Sequence, residues 1–308
     1  MLAAWLAILL TAELAALGLF AASMLGRGCA VGAAIGACIG LALGWRAALV
    51  GFLMGAARVH HRLDATGGVS RLLAWVVLWA RETIAMATAY LAMTFEPLRR
   101  RPPALVQPRD GPVILMVHGW FCNAGVWRPL IRRLRRSGVR NIRTVTLRPV
   151  LGSIDAMATA LDLAVSRLHA TGPGRRLVVV THSMGGLVAR RWLQQLDAAA
   201  GGSVTLITVG CPHTGTRIAR LGPGAAARQM RLGSAWLADL NADERARGKI
   251  TCIASRVDSF IAPQENAQLP GAQAVVVPAV GHFGLLATGV TVRCVIDACR
   301  GAGAPRVS

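Results

Sequence analysis

The residues whose types could carry out a reaction meet in residues 177–187, which read LVVVTHSMGGL. The apolar, mostly β-branched start of this stretch predicts a short buried strand, and the residues after Gly186 have helical spacing. A serine at such a sharp turn presents its hydroxyl above the sheet, where the helix N-terminus faces a developing negative charge. Ser183 is therefore our candidate nucleophile. The alternative is a serine that only caps a buried helix.

A serine nucleophile of this kind needs an acid and a base, which follow it along the chain in that order. His282 lies on a glycine-flanked loop after the last predicted strand, and Asp258 follows the strand before it. We expect His282 to accept the Ser183 proton while Asp258 fixes the histidine tautomer. Asp239, Asp243 and His169 lie on predicted helix faces, and Asp297 follows the histidine, which is the wrong order. His60 and His61 belong to the membrane-proximal region. His182 is adjacent to the serine and is expected to turn away from it, and His213 is expected to be structural.

A strand at residues 113–117 ends in His118 and Gly119, and this loop offers a backbone N–H to a developing oxyanion. We expect the N–H groups of Trp120 and Met184 to form the oxyanion hole. The alternative reading of Gly119 is an ordinary glycine at a strand exit.

Four motifs resemble those of bacterial lipases of the α/β-hydrolase superfamily, and most closely the small lidless lipases. They read VHG at 117–119, THSMG at 181–185, GCPHTG at 210–215 and VGHFGLL at 280–286. The resemblance covers residues 112 to about 299 and implies carboxylester hydrolysis through an acyl-serine intermediate, with no cofactor. It also implies the same roles for Ser183, Asp258 and His282.

The predicted elements alternate from residue 112 onward, which indicates a mostly parallel sheet of about six strands flanked by helices. Strands are expected near 113–117, 142–147, 177–180, 204–209, 250–254 and 274–277, and helices near 126–137, 154–170, 184–197, 235–246 and 285–299. Residues 214–233 could form a small lid, but the Gly-Pro-Gly sequence at 222–224 argues against an ordered cap.

The N-terminal third explains why 54% of the residues are hydrophobic and the mean hydropathy is +0.49. Residues 1–25 and 29–54 are long apolar runs that predict a transmembrane hairpin over residues 1–57. Because no Lys or Arg precedes Arg27, we expect an anchor and not a cleaved signal. An unpaired charge in a membrane is costly, so we expect Glu13 to pair with Arg46.

Glycine recurs every fourth residue from Gly28 to Gly44, which predicts a helix face that allows close approach. The expected partner is the first helix, and a second copy of the chain would also fit. Residues 58–111 are expected to hold a helix at the membrane surface, with Arg81 and Glu82 at its centre, and a Pro- and Arg-rich linker. The hydrolase domain then covers residues 112–308. Arginines after the second helix favour a cytoplasmic catalytic domain, which would lie on the other side if the third apolar stretch spans the membrane. The resemblance to bacterial lipases then implies a bacterial inner membrane.

The formal net charge of +20 is carried almost entirely by arginine, because Lys249 is the only lysine. It suggests an anionic phospholipid surface, although a genome that favours arginine codons would explain it equally. No motif indicates nucleic-acid binding. The 7 cysteines show no metal-binding spacing, so we expect neither a metal nor a disulfide framework.

The sequence therefore predicts a membrane-anchored serine lipase or esterase that acts on a lipid or other acyl ester. An acyltransferase would use the same three residues, with an alcohol in place of water. A membrane scaffold that retains the fold without activity is the third reading.

Overall fold

The computed structural model describes residues 2–59, 70–96, 111–170, 175–196, 204–243 and 247–301. Three long helices come first: α1 (Leu2–Gly26), α2 (Val31–Ala56) and α3 (Arg71–Thr94). Alternating elements follow: β1 (Val113–Val117), α4 (Arg128–Arg136), β2 (Ile142–Val145), α5 (Ile154–Ala170), β3 (Leu177–His182), α6 (Gly185–Gln195), β4 (Val204–Val209), α7 (Ala225–Gln229), α8 (Ala235–Ala242), β5 (Ile250–Ser255), β6 (Gln273–Val277) and α9 (Gly289–Arg300). Of the predicted linker, only Glu96 and Gly111 lie among the described residues.

The six strands form one sheet in the order β2-β1-β3-β4-β5-β6, and every neighbouring pair is parallel. The predicted fold class is therefore confirmed. Strand β3 lies inside the sheet, and all of its residues are buried, which explains its unbroken apolar run. The carboxyl ends of parallel strands share one edge, so the loops after β1, β3, β5 and β6 converge there.

Helices cover both faces of the sheet, and successive residues of β3 point to opposite faces. Leu177 and Val179 pack in one core with residues of α5, α6 and α8. Val178 and Val180 pack in the other, with residues of α4, α9 and the C-terminal half of α3. The second core thus includes part of the N-terminal region.

Several predictions about local structure need correction. The helix predicted at 126–137 begins as a 3₁₀ helix at Ala124–Trp127 and continues as α4. Residues 214–233 are ordered, contrary to expectation, and hold a 3₁₀ helix at Arg217–Leu221 and helix α7 on the two sides of the Gly-Pro-Gly sequence. Gly222 lies directly against the Trp120 ring, so this glycine lets the segment pack on the loop after β1.

The predicted ion pair between α1 and α2 is confirmed. Arg46 donates two hydrogen bonds to the Glu13 carboxylate, with N–O distances of 2.6 and 2.8 Å. The Trp45 indole donates a third, at 2.9 Å. Each charge therefore meets its partner within the helical hairpin.

The expectation that α1 covers the glycine face of α2 is wrong. Gly32, Gly36, Gly40 and Gly44 are exposed, and no described atom lies within 4 Å of a Cβ built on them. Residues two apart on a helix point in nearly opposite directions, so Arg46 and the glycines cannot both face α1. The charge pair decides the orientation. Self-association through the glycine face stays a prediction.

All three N-terminal helices are long and apolar enough to cross a membrane: Ala7–Gly26, Val31–Ala56 and Arg71–Thr94. Helix α3 packs against α1, α2 and the elements that follow β1 and β6. Our expectation that α3 lies at the membrane surface stays a prediction.

Candidate active site

Ser183 occupies the turn between β3 and α6 with a strained backbone, since its φ is 54°. The Ser183 N–H donates to the Val209 carbonyl at 2.9 Å, which holds the turn on β4. Non-glycine residues with such a strained backbone conformation are concentrated at functional sites. An N-cap residue typically has an extended backbone, and Met184, not Ser183, directly precedes α6. Ser183 as the nucleophile stays a prediction.

The elbow needs small residues because two strands and a helix meet there. A Cβ on Gly185 would lie 2.5 Å from the Val117 carbonyl oxygen. Thr181 stands at the position that is usually the first glycine, and it is fully buried. Its hydroxyl donates to the Ile207 carbonyl at 3.2 Å, which accommodates the polar atom within the sheet.

The structure brings Asp258 and His282 together, 24 residues apart in the chain. His282 Nδ1 lies 2.9 Å from Asp258 Oδ2, and both side chains are buried. Asp258 Oδ1 accepts the N–H groups of Phe260 and Ile261 at 2.8 and 2.9 Å. Since the carboxylate only accepts, Nδ1 carries the proton, which leaves Nε2 as the acceptor.

The Ser183 side chain packs against the loop after β1, with its Cβ 2.8 Å from a Cβ position on Gly119. Its Oγ lies 3.5 Å from a Cβ position on Gly119, and the hydrogen bonds of the described residues do not join it to His282. Gly210 lies beneath the pair, where a Cβ would be 3.0 Å from His282 Nδ1. Hydrogen bonds between a nucleophile and its base are often loose without substrate and tighten when it binds.

The pKa of His282 is raised above its ordinary value of 6.5. Burial by itself lowers this pKa, but the charge and hydrogen bond of Asp258 raise it more, and the charge of Glu82 acts in the same direction. A base must be neutral to accept a proton, so activity is lost as the pH falls through this raised pKa.

We therefore expect the acid limb of a kcat/KM against pH profile to have its midpoint above pH 6.5. The measurement is ester hydrolysis across the pH range at constant ionic strength. A midpoint at or below the ordinary value would contradict the arrangement of charges around His282.

Two backbone donors are free at the serine. No described residue accepts a hydrogen bond from the N–H of Trp120 or of Met184. Gly119 packs against the elbow, where a Cβ would lie 2.8 Å from Ser183 Cβ and 3.0 Å from the His182 carbonyl oxygen. Both donors therefore flank the serine and remain available to a negatively charged oxygen.

His118 is a residue of the site that sequence reasoning missed. Its Nδ1 donates to the Gly119 carbonyl at 2.8 Å, and its Nε2 accepts the Leu147 N–H at 2.9 Å. Burial lowers the pKa of His118 to about 4, so the ring stays neutral near pH 7. The side chain fixes the loop that carries Trp120, and its position at the strand exit was the available signal.

Gly119→Ala is expected to lower kcat by about 10²- to 10³-fold, because the added methyl group pushes the Trp120 N–H away from the oxyanion. Gly248→Ala is the matched control, since a Cβ there meets nothing within 4 Å. The measurement is kcat for an ester with the folded state checked by circular dichroism. Equal kcat values for the two variants would remove Trp120 from the oxyanion hole.

Two other histidines, His182 and His213, are buried near the candidate active site. His182 was expected to turn away from it, but its ring centroid lies 4.6 Å from that of His282, and its Nε2 donates to the His282 carbonyl at 3.4 Å. His213 is buried and bonded to Thr208 and Arg190 at 3.0 and 3.3 Å, as expected for a structural residue. Burial lowers the pKa of both rings well below 6.5.

The model of the alpha/beta hydrolase family matches residues 114–262, which hold β1 to β5 with Ser183 and Asp258. The chain has an α/β-hydrolase fold. Crystal structures of lipases agree with this. Bacillus licheniformis lipase BlEst2 in mature form has a TM-score of 0.54 at 17% identity, over 63% of this chain and 95% of that one. Aspergillus fumigatus lipase B has a TM-score of 0.51 at 17% identity, over 63% and 54%. None of the curated proteins compared with the chain matches it.

Proposed function

We propose that this α/β-hydrolase is a membrane-anchored serine carboxylester hydrolase of the lipase or esterase type. The observation that carries the proposal is Ser183 at its strained elbow, beside a buried Asp258–His282 pair and two free backbone donors. A scaffold would need none of these features together.

The reaction begins when His282 Nε2 takes the Ser183 proton and Oγ attacks the ester carbonyl carbon. The carbonyl oxygen becomes an oxyanion that accepts hydrogen bonds from Trp120 and Met184. The C–O bond to the alcohol then breaks, and His282 gives its proton to the leaving alkoxide. Water, deprotonated by His282, attacks the acyl-serine, and the acid leaves as Ser183 regains its proton.

The N-terminal helices support a substrate in or near a bilayer. Most large apolar side chains between residues 7 and 43 are exposed, among them Leu19, Val31 and Ile35. Helix α4 adds arginines at exposed positions, which suit an anionic lipid surface, although a solvated helix face would also carry them. The two lipases with a similar fold support the choice of an ester as the substrate class. The membrane and its side stay predictions.

The experiment is hydrolysis of a p-nitrophenyl ester series of increasing chain length by the full-length protein in detergent. Labelling by a fluorophosphonate probe is measured in parallel, with Ser183→Ala as the background. We expect serine-dependent turnover and labelling. The chain-length optimum then separates a lipase from a short-chain esterase.

The other outcomes identify the alternatives. Labelling without hydrolysis, followed by ester formation when an alcohol is added, would favour an acyltransferase. A folded protein that neither labels nor turns over would favour the scaffold and overturn the proposal.

A further inference from the structure

A carboxylate from α3 reaches the loop that carries His282. Glu82 is only 2% exposed, although it lies in the middle of an apolar helix. Its Oε1 accepts the Phe283 N–H at 2.7 Å, and its Oε2 accepts the Gly284 N–H at 3.1 Å. Glu82 therefore holds the two residues that directly follow the candidate base.

The loop is shaped to admit this carboxylate. A Cβ on Gly281 would lie 2.5 Å from Glu82 Cδ, so any larger residue before His282 would displace it. Gly284 begins the 3₁₀ helix Gly284–Ala287, whose first N–H groups have no partner within the helix. A Cβ on Gly284 would lie 2.8 Å from Val280 Cγ1 and 3.4 Å from Glu82 Oε2, so the glycines before and after His282 both allow close packing.

Helix α3 also contacts the segment that follows the candidate oxyanion loop. Asn123 Nδ2 donates to the Met93 carbonyl at 2.9 Å. Glu82 and Met93 are 11 residues apart, about three helical turns or roughly 16 Å along the axis. One rigid helix thus connects the histidine loop with the oxyanion segment.

We propose that Glu82 is a positioning residue of the active site, which fixes the His282 loop through its two N–H groups and makes α3 part of the catalytic unit. The proposal rests on the proposed function, because it takes His282 as the base. Burying a carboxylate is costly, and two backbone hydrogen bonds to a functional loop give a reason for keeping it there.

Electrostatics adds a second, measurable effect. The titratable groups that act on Glu82 are His282 and Asp258, and those that act on His282 are Asp258 and Glu82, with His182 in ring contact. When Glu82 is ionised, its negative charge raises the pKa of His282. Burial raises the pKa of Glu82 itself to about 7, so the carboxylate carries this charge in the upper part of the acid limb. Removing that charge while keeping the side-chain shape should therefore move the acid limb of the pH profile to lower pH.

The test is Glu82→Gln in the full-length protein in detergent. An amide can accept one N–H but turns a donor toward the other, so the loop loses one of its two fixed points. We expect kcat to fall by about 10- to 100-fold with KM unchanged, because small displacements of a base are costly. We also expect the acid limb to move to lower pH.

Thr83→Ala is the matched control, since Thr83 is buried on the same helix and bonds only within it, to the Trp79 carbonyl. It should change thermal stability without moving the acid limb. If Glu82→Gln gives the kcat and acid limb of Thr83→Ala, Glu82 is only structural and the proposal is wrong.

Glu82→Asp keeps the charge but shortens the side chain by one methylene, and it serves if Glu82→Gln does not fold. We expect a reduced kcat with the wild-type acid limb, and an unchanged kcat would overturn the proposal. Wild-type labelling by the fluorophosphonate separates the two ideas. An unlabelled wild type contradicts the proposed function, whereas a labelled, active wild type with an indifferent Glu82→Gln contradicts only the role of Glu82.

Discussion

Ser183→Ala is expected to lower kcat for ester hydrolysis by about 10⁶-fold, because no other group can form the acyl intermediate. The substitution removes one hydroxyl whose Oγ lies beside Gly119 at the elbow, so the fold should be retained. Binding should survive, since the backbone donors of Trp120 and Met184 are unchanged. KM for a soluble ester should therefore change little.

The measurement is kcat by single-turnover and steady-state hydrolysis, with enough enzyme to detect the residual rate. Ser137→Ala is the control, because Ser137 is exposed at the end of α4 and its hydroxyl bonds only to the Arg133 carbonyl. A Ser183→Ala protein with a rate close to that of Ser137→Ala would mean that another residue is the nucleophile.

Asp258→Asn is expected to lower kcat by about 10⁴-fold through the tautomer of His282. An asparagine can keep its oxygen on the N–H groups of Phe260 and Ile261, where Asp258 Oδ1 accepts now. Its amide nitrogen then faces His282 Nδ1 and donates to it. The ring proton must move to Nε2, which can no longer accept a proton from Ser183.

The comparison uses Asp239→Asn, which makes the same chemical change in a surface ion pair with Arg191, whose N–O distance is 2.9 Å. The Asp239 side chain is 62% exposed, and exposed ion pairs contribute about 0 to 1 kcal/mol to the free energy of unfolding. Asp239→Asn should hydrolyse esters at the wild-type rate. If Asp258→Asn does the same, the acid of the site lies elsewhere.

The local sequence was sufficient to predict the sheet and the residues that lie at the carboxyl edge of its strands. The run that became β3 is buried on both faces, so its apolar composition marks it without further context. Parallel strands deliver their following loops to one edge, and the chain order of Ser183, Asp258 and His282 then placed all three there. Only β2, a short edge strand, was predicted too long, because an edge has fewer neighbours to fix its end.

Interactions between distant segments could not be predicted in this way. The face of α2 that meets α1 was decided by the Glu13–Arg46 pair, and the regular glycine spacing indicated the opposite face. The segment at 217–229 is ordered because it packs on Trp120, about 100 residues earlier, and a glycine-proline sequence carries no sign of that contact.

The sequence by itself determined the hydrolase fold and the order of the candidate nucleophile, acid and base, because strand periodicity and turn chemistry act over a few residues. Only the tertiary structure decided that Glu82 bonds to Phe283, 201 residues later, and that His118 bonds to the loop that carries Trp120. A charge in an apolar helix looks like a defect until the segment that it contacts is known. The partner of such a group is set by packing, and packing joins residues that no local pattern connects.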